Sequence, residues 1–177
     1  MMSNQVGSFL LFAGAFVVCF LVGLAIRYFH TGGSWKCEYD ERQELVRGRG
    51  YKYGFITLAV YYALDYMVLN IFEREWAQQH VDILIGILLG IGVYAIYCIM
   101  NEAFLSLREN QKRYIITLVF VMICNAAGAA VPLISGESLI EDGRITSNCI
   151  NLFCALLLTI ILFVMALKQT MIKREDD

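Results

Sequence analysis

Five long apolar stretches are the feature that most constrains how this chain can fold. Asp65 is the only charged side chain in them, and they cover residues 5–26, 53–72, 83–100, 114–134 and 148–167. A hydrocarbon core about 30 Å thick needs roughly 20 apolar residues of helix to cross it. The pattern therefore predicts an all-α integral membrane bundle of five transmembrane helices, in which residues 1–177 form a single membrane domain.

The composition agrees with a lipid-embedded chain and excludes other classes of protein. Hydrophobic residues make up 59% of the 177 residues and charged residues 17%, whereas a soluble domain has roughly 45–50% and about 25%. So few charges exclude an intrinsically disordered chain, and a single proline excludes a Pro-rich or collagen-like chain. The net charge of -2 excludes a strongly basic nucleic-acid binder, so no nucleic-acid partner is expected.

The distribution of Lys and Arg predicts how the chain is threaded. Of the 14 basic residues, 12 fall in the segments on the side of residues 27–52 and the carboxyl terminus. Because basic residues accumulate on the cytosolic side, we expect the amino terminus outside and the carboxyl terminus in the cytosol. The first stretch has no Lys or Arg before it and no small-residue cleavage site, so we expect a retained helix rather than a cleaved signal.

The predicted cytosolic segment, residues 27–52, is the longest one outside the apolar stretches. A short helix is predicted over residues 38–46, and a hinge after it, because two glycines weaken a helix by about 1 kcal/mol each. The segment mixes acidic and basic side chains, which suits a specific protein partner or self-association, or else a solvated connector that only fixes the topology. Its candidates for contact with a cytosolic partner or with lipid are Arg42, Arg47, Arg49 and Lys52.

The same segment carries a resemblance. Asp40-Glu41-Arg42-Gln43, followed by Arg47-Gly48-Arg49-Gly50-Tyr51-Lys52-Tyr53 and an apolar stretch, resembles a signature of small uncharacterised bacterial multi-pass membrane proteins. In that group an Asp-Glu-Arg sequence lies on the cytosolic side, just before a membrane helix. The resemblance covers a short part of the chain. It implies a protein of the bacterial inner or cytoplasmic membrane and transfers no catalytic residue.

Asp65 is the most informative residue for a functional site. An ionisable side chain inside a span costs roughly 2.5–3.5 kcal/mol on insertion scales and usually faces a bundle interior or a water-filled cavity. Counted from the cytosolic ends of their helices, Asp65 lies about 18 Å deep and Asn125 about 16–17 Å deep, so the two could meet. Tyr61, one turn before Asp65, could donate its hydroxyl to the carboxylate.

Three interpretations of Asp65 stay open. The functional one is an intramembrane site for an ion, a proton or a polar solute, in which Asp65 titrates and Asn125 is a ligand. The second is an Asp–Asn hydrogen bond that holds two helices together. The third places Asp65 nearer the outer boundary of the membrane than the apolar pattern suggests.

Three glycines are predicted to allow close packing of helices. Gly86 and Gly90 are four residues apart in the third stretch, and Gly128 lies among alanines in the fourth stretch. Small residues at this spacing let another helix approach closely.

The functional hypotheses come from different classes of protein. No H-E-x-x-H, G-x-S-x-G, P-loop or C-x-x-C motif occurs, so we expect neither an enzyme nor a bound metal or cofactor. The first hypothesis is a non-enzymatic subunit of the plasma membrane, in contact with the lipid bilayer, that forms a homo-oligomer or binds a membrane protein partner. The alternative is a small transporter or channel that uses Asp65, Asn125 and Tyr61. An intramembrane enzyme is the third, and its catalytic residues are missing.

Overall fold

The computed structural model of the protein describes residues 25, 28, 38–73, 75–107 and 109–176. The first predicted span, residues 5–26, lies outside the described residues apart from Ala25. The described part contains four α-helices, which are α1 (Glu41–Phe72), α2 (Gln79–Met100), α3 (Gln111–Ile134) and α4 (Ile150–Asp176). A short 3-10 helix, Ser147–Cys149, leads into α4.

All four helices are long and apolar enough to cross a membrane. They contain the second to fifth predicted spans, and α1, α2 and α3 end where the predicted apolar stretches end, at Phe72, Met100 and Ile134. The chain is therefore a mostly helical protein with the character of an integral membrane protein. The total of five spans and the orientation stay predictions.

Helix α1 is longer than the sequence predicted, and it has no hinge. It runs without a break for 32 residues, about 48 Å at 1.5 Å per residue. The predicted hinge at residues 47–50 is therefore wrong. The physical reason is that local contacts outweigh the weak helix propensity of glycine: the side chain of Asp40 caps the first turn, and Gly50 lies against Tyr94 and Cys98 of α2.

The helices pack in the order α1–α2–α4–α3. Helix α2 runs antiparallel to α1 and parallel to α4, while α3 is antiparallel to α4. Within the described residues, the small buried core lies where α2 meets α4 and contains Ala95, Ile99, Ile161 and Met165. Helices α1 and α3 stand at the two ends of this row and expose apolar side chains along most of their length, as lipid-facing helices do.

The alternating helix directions give the row two different ends. The basic end contains the start of α1, the loop of residues 101–110 and the last turns of α4. The acidic end contains residues 73–78 and 135–147, which connect α1 to α2 and α3 to α4.

A small cap of backbone hydrogen bonds closes the acidic end. Strands β1 (Ile140–Glu141) and β2 (Arg144–Ile145) form an antiparallel hairpin. Asp142 and Gly143 connect them with φ angles of 49° and 74°, as a two-residue hairpin turn requires. The backbone of Ile145 also donates to Trp76 O at 3.0 Å and accepts from Gln78 N at 3.0 Å. The two connections of this end are thereby joined into one unit.

Candidate functional site

The structure does not bring Asp65 and Asn125 together. Asp65 accepts a hydrogen bond of 2.5 Å from Trp76 Nε1, in the cap at the acidic end. Asn125 donates its side-chain amide to Val121 O, 2.9 Å away in its own helix. The predicted shared site is not formed, because α1 and α3 stand at opposite ends of the row. Asp65 lies seven residues before Phe72, about 10 Å from the end of α1, which is the depth that the predicted stretch gave it.

Tyr61 and Tyr62 attach α1 to the first turns of α2. Tyr61 donates its hydroxyl to Asp82 O at 2.9 Å rather than to Asp65, and Tyr62 donates to Ile83 O at 2.9 Å. Both rings lie over Gly86, where a Cβ atom would stand 2.7 Å from the ring of Tyr61. These polar side chains therefore fasten α1 to its neighbour within the span.

Glycines allow the close approach of each packed pair of helices. A Cβ atom on Gly54 would lie 2.8 Å from Gly90 O, and one on Gly90 would lie 3.1 Å from Gly54 O. A Cβ atom on Gly92 would lie 2.7 Å from Leu157 Cδ1 of α4, and one on Gly128 would lie 2.8 Å from Asn151 Nδ2, so these side chains would have to move. The structure thus places Gly86 and Gly90 at the α1–α2 contact and Gly128 at the α3–α4 contact.

The Asp40–Gln43 segment starts α1 and attaches it to the loop of residues 101–110. Gln43 N donates to Asp40 Oδ1 at 2.5 Å, and Asp40 N donates to Gln43 Oε1 at 3.3 Å, which is a capping box. The side-chain amide of the buried Gln43 also donates to Glu102 O at 2.9 Å. Leu107 N adds a hydrogen bond of 2.9 Å to Glu38 O.

Glu102 joins three parts of the basic end through its carboxylate. Lys168 Nζ of α4 lies 2.9 Å from Glu102 Oε1, and Arg42 Nη2 of α1 lies 3.6 Å from Glu102 Oε2. The hydrogen bond from Lys168, with the positive charges of Lys168 and Arg42, lowers the pKa of the Glu102 carboxyl below its ordinary value of 4.5. About half of the Glu102 side chain is exposed, so water and salt screen these attractions.

The four basic residues predicted to contact a partner or lipid take three different positions. Arg42 pairs with Glu102. Arg49 and Lys52 are exposed on the surface of α1. Arg47 points into a cleft of aromatic side chains, which the sequence did not predict as a unit.

This cleft, named the tyrosine cleft, has a volume of about 330 Å³ and lies at the basic end. Its lining consists of Tyr39, Arg47, Tyr51, Tyr94, Phe104, Glu109 and Tyr114. These residues come from α1 and the residues just before it, from α2, from the loop of residues 101–110 and from the first turn of α3. None of these tyrosines is among the site residues predicted from the sequence. The available signal was that three predicted spans each carry tyrosine near the same membrane boundary.

The walls of the tyrosine cleft are ordered by aromatic contacts. The guanidinium carbon of Arg47 lies 4.0 Å from the ring centroid of Tyr39, which is a cation–π distance. Tyr51 and Tyr94 are stacked, with centroids 4.5 Å apart and ring planes at 18°. Glu109 accepts a hydrogen bond of 2.8 Å from Ser106 N. The cleft thus presents one cation and one carboxylate between flat aromatic faces.

Comparisons of the chain with protein-family models, with curated proteins and with solved structures found no match. The resemblance of residues 40–53 to small bacterial membrane proteins therefore stays a prediction. Within the described ranges, no three side chains of His, Cys, Asp or Glu are grouped closely enough to hold a metal ion.

Proposed function

We propose that this chain is a non-enzymatic subunit of a bacterial plasma membrane that associates with a second copy of itself or with a partner protein. In this proposal the basic end faces the cytosol. The observation that carries the proposal is the fixed extension of α1, residues 41–52, which continues the helix of the second predicted span without a break.

The contacts of this extension argue against a simple connector. A solvated connector that only fixed the topology would need no tertiary contact. Here Gln43 donates to the backbone of Glu102, and Arg42 pairs with the side chain of Glu102. These contacts attach the extension to the loop of residues 101–110 and fix the orientation of the extension's outer surface. Binding of a partner to this surface would therefore cost little conformational entropy.

The outer surface of the extension has the chemistry of a protein contact. One face of the helix, named the exposed stripe, contains Glu41, Leu45, Gly48, Arg49 and Lys52, all of them exposed. Leu45 is 67% exposed, and a Cβ on Gly48 would meet nothing within 4 Å. An exposed leucine beside a flat glycine, between charges of both signs, suits a specific protein surface better than anionic lipid, which attracts basic residues alone.

The transport alternative has no comparable support. Its two central side chains are hydrogen-bonded to separate groups, Asp65 to Trp76 and Asn125 to Val121. We therefore put forward association as the function, and transport is not proposed.

Photo-crosslinking in intact cell membranes tests the association. A photoreactive residue at position 45 probes the exposed stripe, and one at Leu107, which is 64% exposed at the same end, is the matched control. We expect a discrete adduct from position 45. Two co-expressed tags identify it: an adduct of about twice 20.1 kDa with both tags shows self-association, and a discrete adduct of another mass shows a partner.

A charge reversal completes the experiment. Arg49→Glu changes the exposed stripe next to position 45 and touches none of the contacts of Gln43. We expect it to reduce the adduct from position 45 severalfold. The proposal fails if position 45 gives no discrete adduct, or if positions 45 and 107 give the same adducts.

A further inference from the structure

The tyrosine cleft adjoins a second, apolar depression between α1 and α2. This depression, named the glycine groove, has a volume of about 280 Å³ and is lined by Tyr51, Gly54, Phe55, Leu58, Ile87, Gly90, Ile91 and Tyr94. The stacked pair of Tyr51 and Tyr94 lines both depressions. Apart from that pair, the lining residues of the glycine groove that belong to the described part of the chain have apolar side chains or none. A polar cleft and an apolar groove thus share one wall.

Their levels along α1 match the layers of a bilayer. Tyr51 lies 21 residues before Phe72, a distance of about 32 Å, which is close to the roughly 30 Å of a hydrocarbon core. When Phe72 lies at one boundary of the hydrocarbon, Tyr51 lies at the other. Arg47 then stands one turn outside, at the level of the lipid headgroups, and Gly54 stands about one turn inside, at the level of the acyl chains.

The charged groups of the tyrosine cleft suit a zwitterionic headgroup. Among the described residues no carboxylate lies within ion-pair distance of Arg47. Its guanidinium carbon lies 4.0 Å from the ring centroid of Tyr39 and 6.0 Å from that of Tyr94. A guanidinium has five N–H donors in a planar fork that matches a phosphate. Glu109 and the tyrosine rings suit an ammonium group, through charge and through cation–π attraction.

We propose that the tyrosine cleft and the glycine groove together bind one molecule of an aminophospholipid. The phosphate lies against the guanidinium of Arg47, the ammonium group lies between Glu109 and the tyrosine rings, and one acyl chain follows the glycine groove past the exposed edge of Tyr51. This site is separate from the exposed stripe, so its failure would leave the association proposal standing.

Native mass spectrometry of the purified full chain in detergent tests the site, with phosphatidylethanolamine as the probe. We expect Arg47→Gln to weaken binding of a single lipid about tenfold or more, because it removes a charge-assisted hydrogen bond. Arg174→Gln removes the same charge in the last turn of α4, outside the cleft, and is the matched control that leaves binding unchanged. Equal binding by the two variants would overturn the proposal.

A second pair of measurements distinguishes binding of the whole lipid from binding of its headgroup alone. Ile87→Trp places a large ring in the glycine groove without touching Arg47. We expect it to reduce lipid binding severalfold and to leave the midpoint of thermal unfolding unchanged. Free O-phosphoethanolamine can fill only the tyrosine cleft, and we expect it to compete poorly. If it competes as well as the lipid, or if Ile87→Trp has no effect, the assignment to a lipid is wrong.

The charge of the probe tests the role of Glu109. Because the cleft holds one positive and one negative group, phosphatidylethanolamine should bind severalfold more tightly than phosphatidylglycerol. Glu109→Gln should remove this preference, since the amide still accepts the hydrogen bond from Ser106 N but no longer attracts an ammonium group. An unchanged preference in Glu109→Gln would refute the placement of the ammonium group.

Discussion

Two glycines of α1 have opposite surroundings, and the same substitution should therefore change stability in opposite directions. Gly48 is exposed, and a Cβ there would meet nothing within 4 Å. Gly54 is buried against α2, where a Cβ would lie 2.8 Å from Gly90 O, closer than real Cβ atoms approach an oxygen. We predict that Gly48→Ala stabilises the protein and that Gly54→Ala destabilises it.

The magnitudes follow from two effects. Replacing a glycine by alanine inside a helix stabilises the helix by about 1 kcal/mol, and at Gly48 this is the whole effect. At Gly54 the new methyl group overlaps a backbone carbonyl, which cannot rotate away, and such overpacking costs about 1–3 kcal/mol. The net effect of Gly54→Ala is then about 0–2 kcal/mol of destabilisation. Because both variants gain the same helix propensity, the difference between them, about 1–3 kcal/mol, measures the overlap itself.

Unfolding of the purified protein in mixed micelles with increasing sodium dodecyl sulfate, followed by circular dichroism, gives the free energies of both variants. Gly54→Leu extends the series, since a larger side chain must separate α1 from α2 further. The crossing of α1 and α2 at Gly54 and Gly90 would be refuted if Gly54→Ala stabilised the protein as much as Gly48→Ala does.

Three further predictions concern polar groups. Asp65→Leu removes the hydrogen-bond acceptor of the Trp76 indole and should lower the free energy of unfolding by about 1–3 kcal/mol. Asp65→Asn keeps an acceptor and should lower this free energy less. Thermal unfolding of both variants in detergent measures the difference. Lys168 lowers the pKa of Glu102, so the contribution of this carboxylate to stability is present above its ordinary pKa of 4.5 and is lost as the pH falls through the lowered value. The free energies of unfolding of wild type and Glu102→Gln should differ at pH 7 by at most about 1 kcal/mol, since the pair is half exposed. In acid the two free energies should become equal. Asp40→Ala removes the cap of α1 and should destabilise its first turn by about 1 kcal/mol, visible as faster amide hydrogen exchange there and not in α3.

The apolar parts of the four described helices could be predicted because the bilayer sets both their length and their composition. The ends at Phe72, Met100 and Ile134 match the predicted stretches, since polar loop residues follow at once. The beginning of α1 was not predicted as part of the span, because hydropathy is silent about helix that continues into water. There the capping residue Asp40 sets the boundary, and the Asp-x-x-Gln spacing was its signal.

The neighbours of Asp65 could not be predicted from its depth. Counting residues gives the height of a side chain along the membrane normal, but the rotation of the helix and the order of the row decide which group it contacts. Asp65 and Asn125 are close in height, yet they belong to helices at opposite ends of the row. Asp65 instead contacts Trp76, which lies only 11 residues further along the chain in a connection that hydropathy treats as an unstructured loop.

The glycines contained more information about neighbours than their spacing within one helix suggested. Gly50 and Gly54 are four residues apart in α1, as Gly86 and Gly90 are in α2, and two such pairs on helices joined by a short connection favour a mutual crossing. Because a Cβ is missing at Gly50, the ring of Tyr94 can lie against the backbone of α1.

That close approach has a chemical consequence at the basic end. It brings the ring of Tyr94 to 4.5 Å from the ring of Tyr51, and this stacked pair is the wall shared by the tyrosine cleft and the glycine groove. The small residues that pack α1 on α2 thereby also position the aromatic side chains around Arg47. A substitution at Gly50 should therefore disturb the tyrosine cleft even though it adds no charge and removes no hydrogen-bonding group.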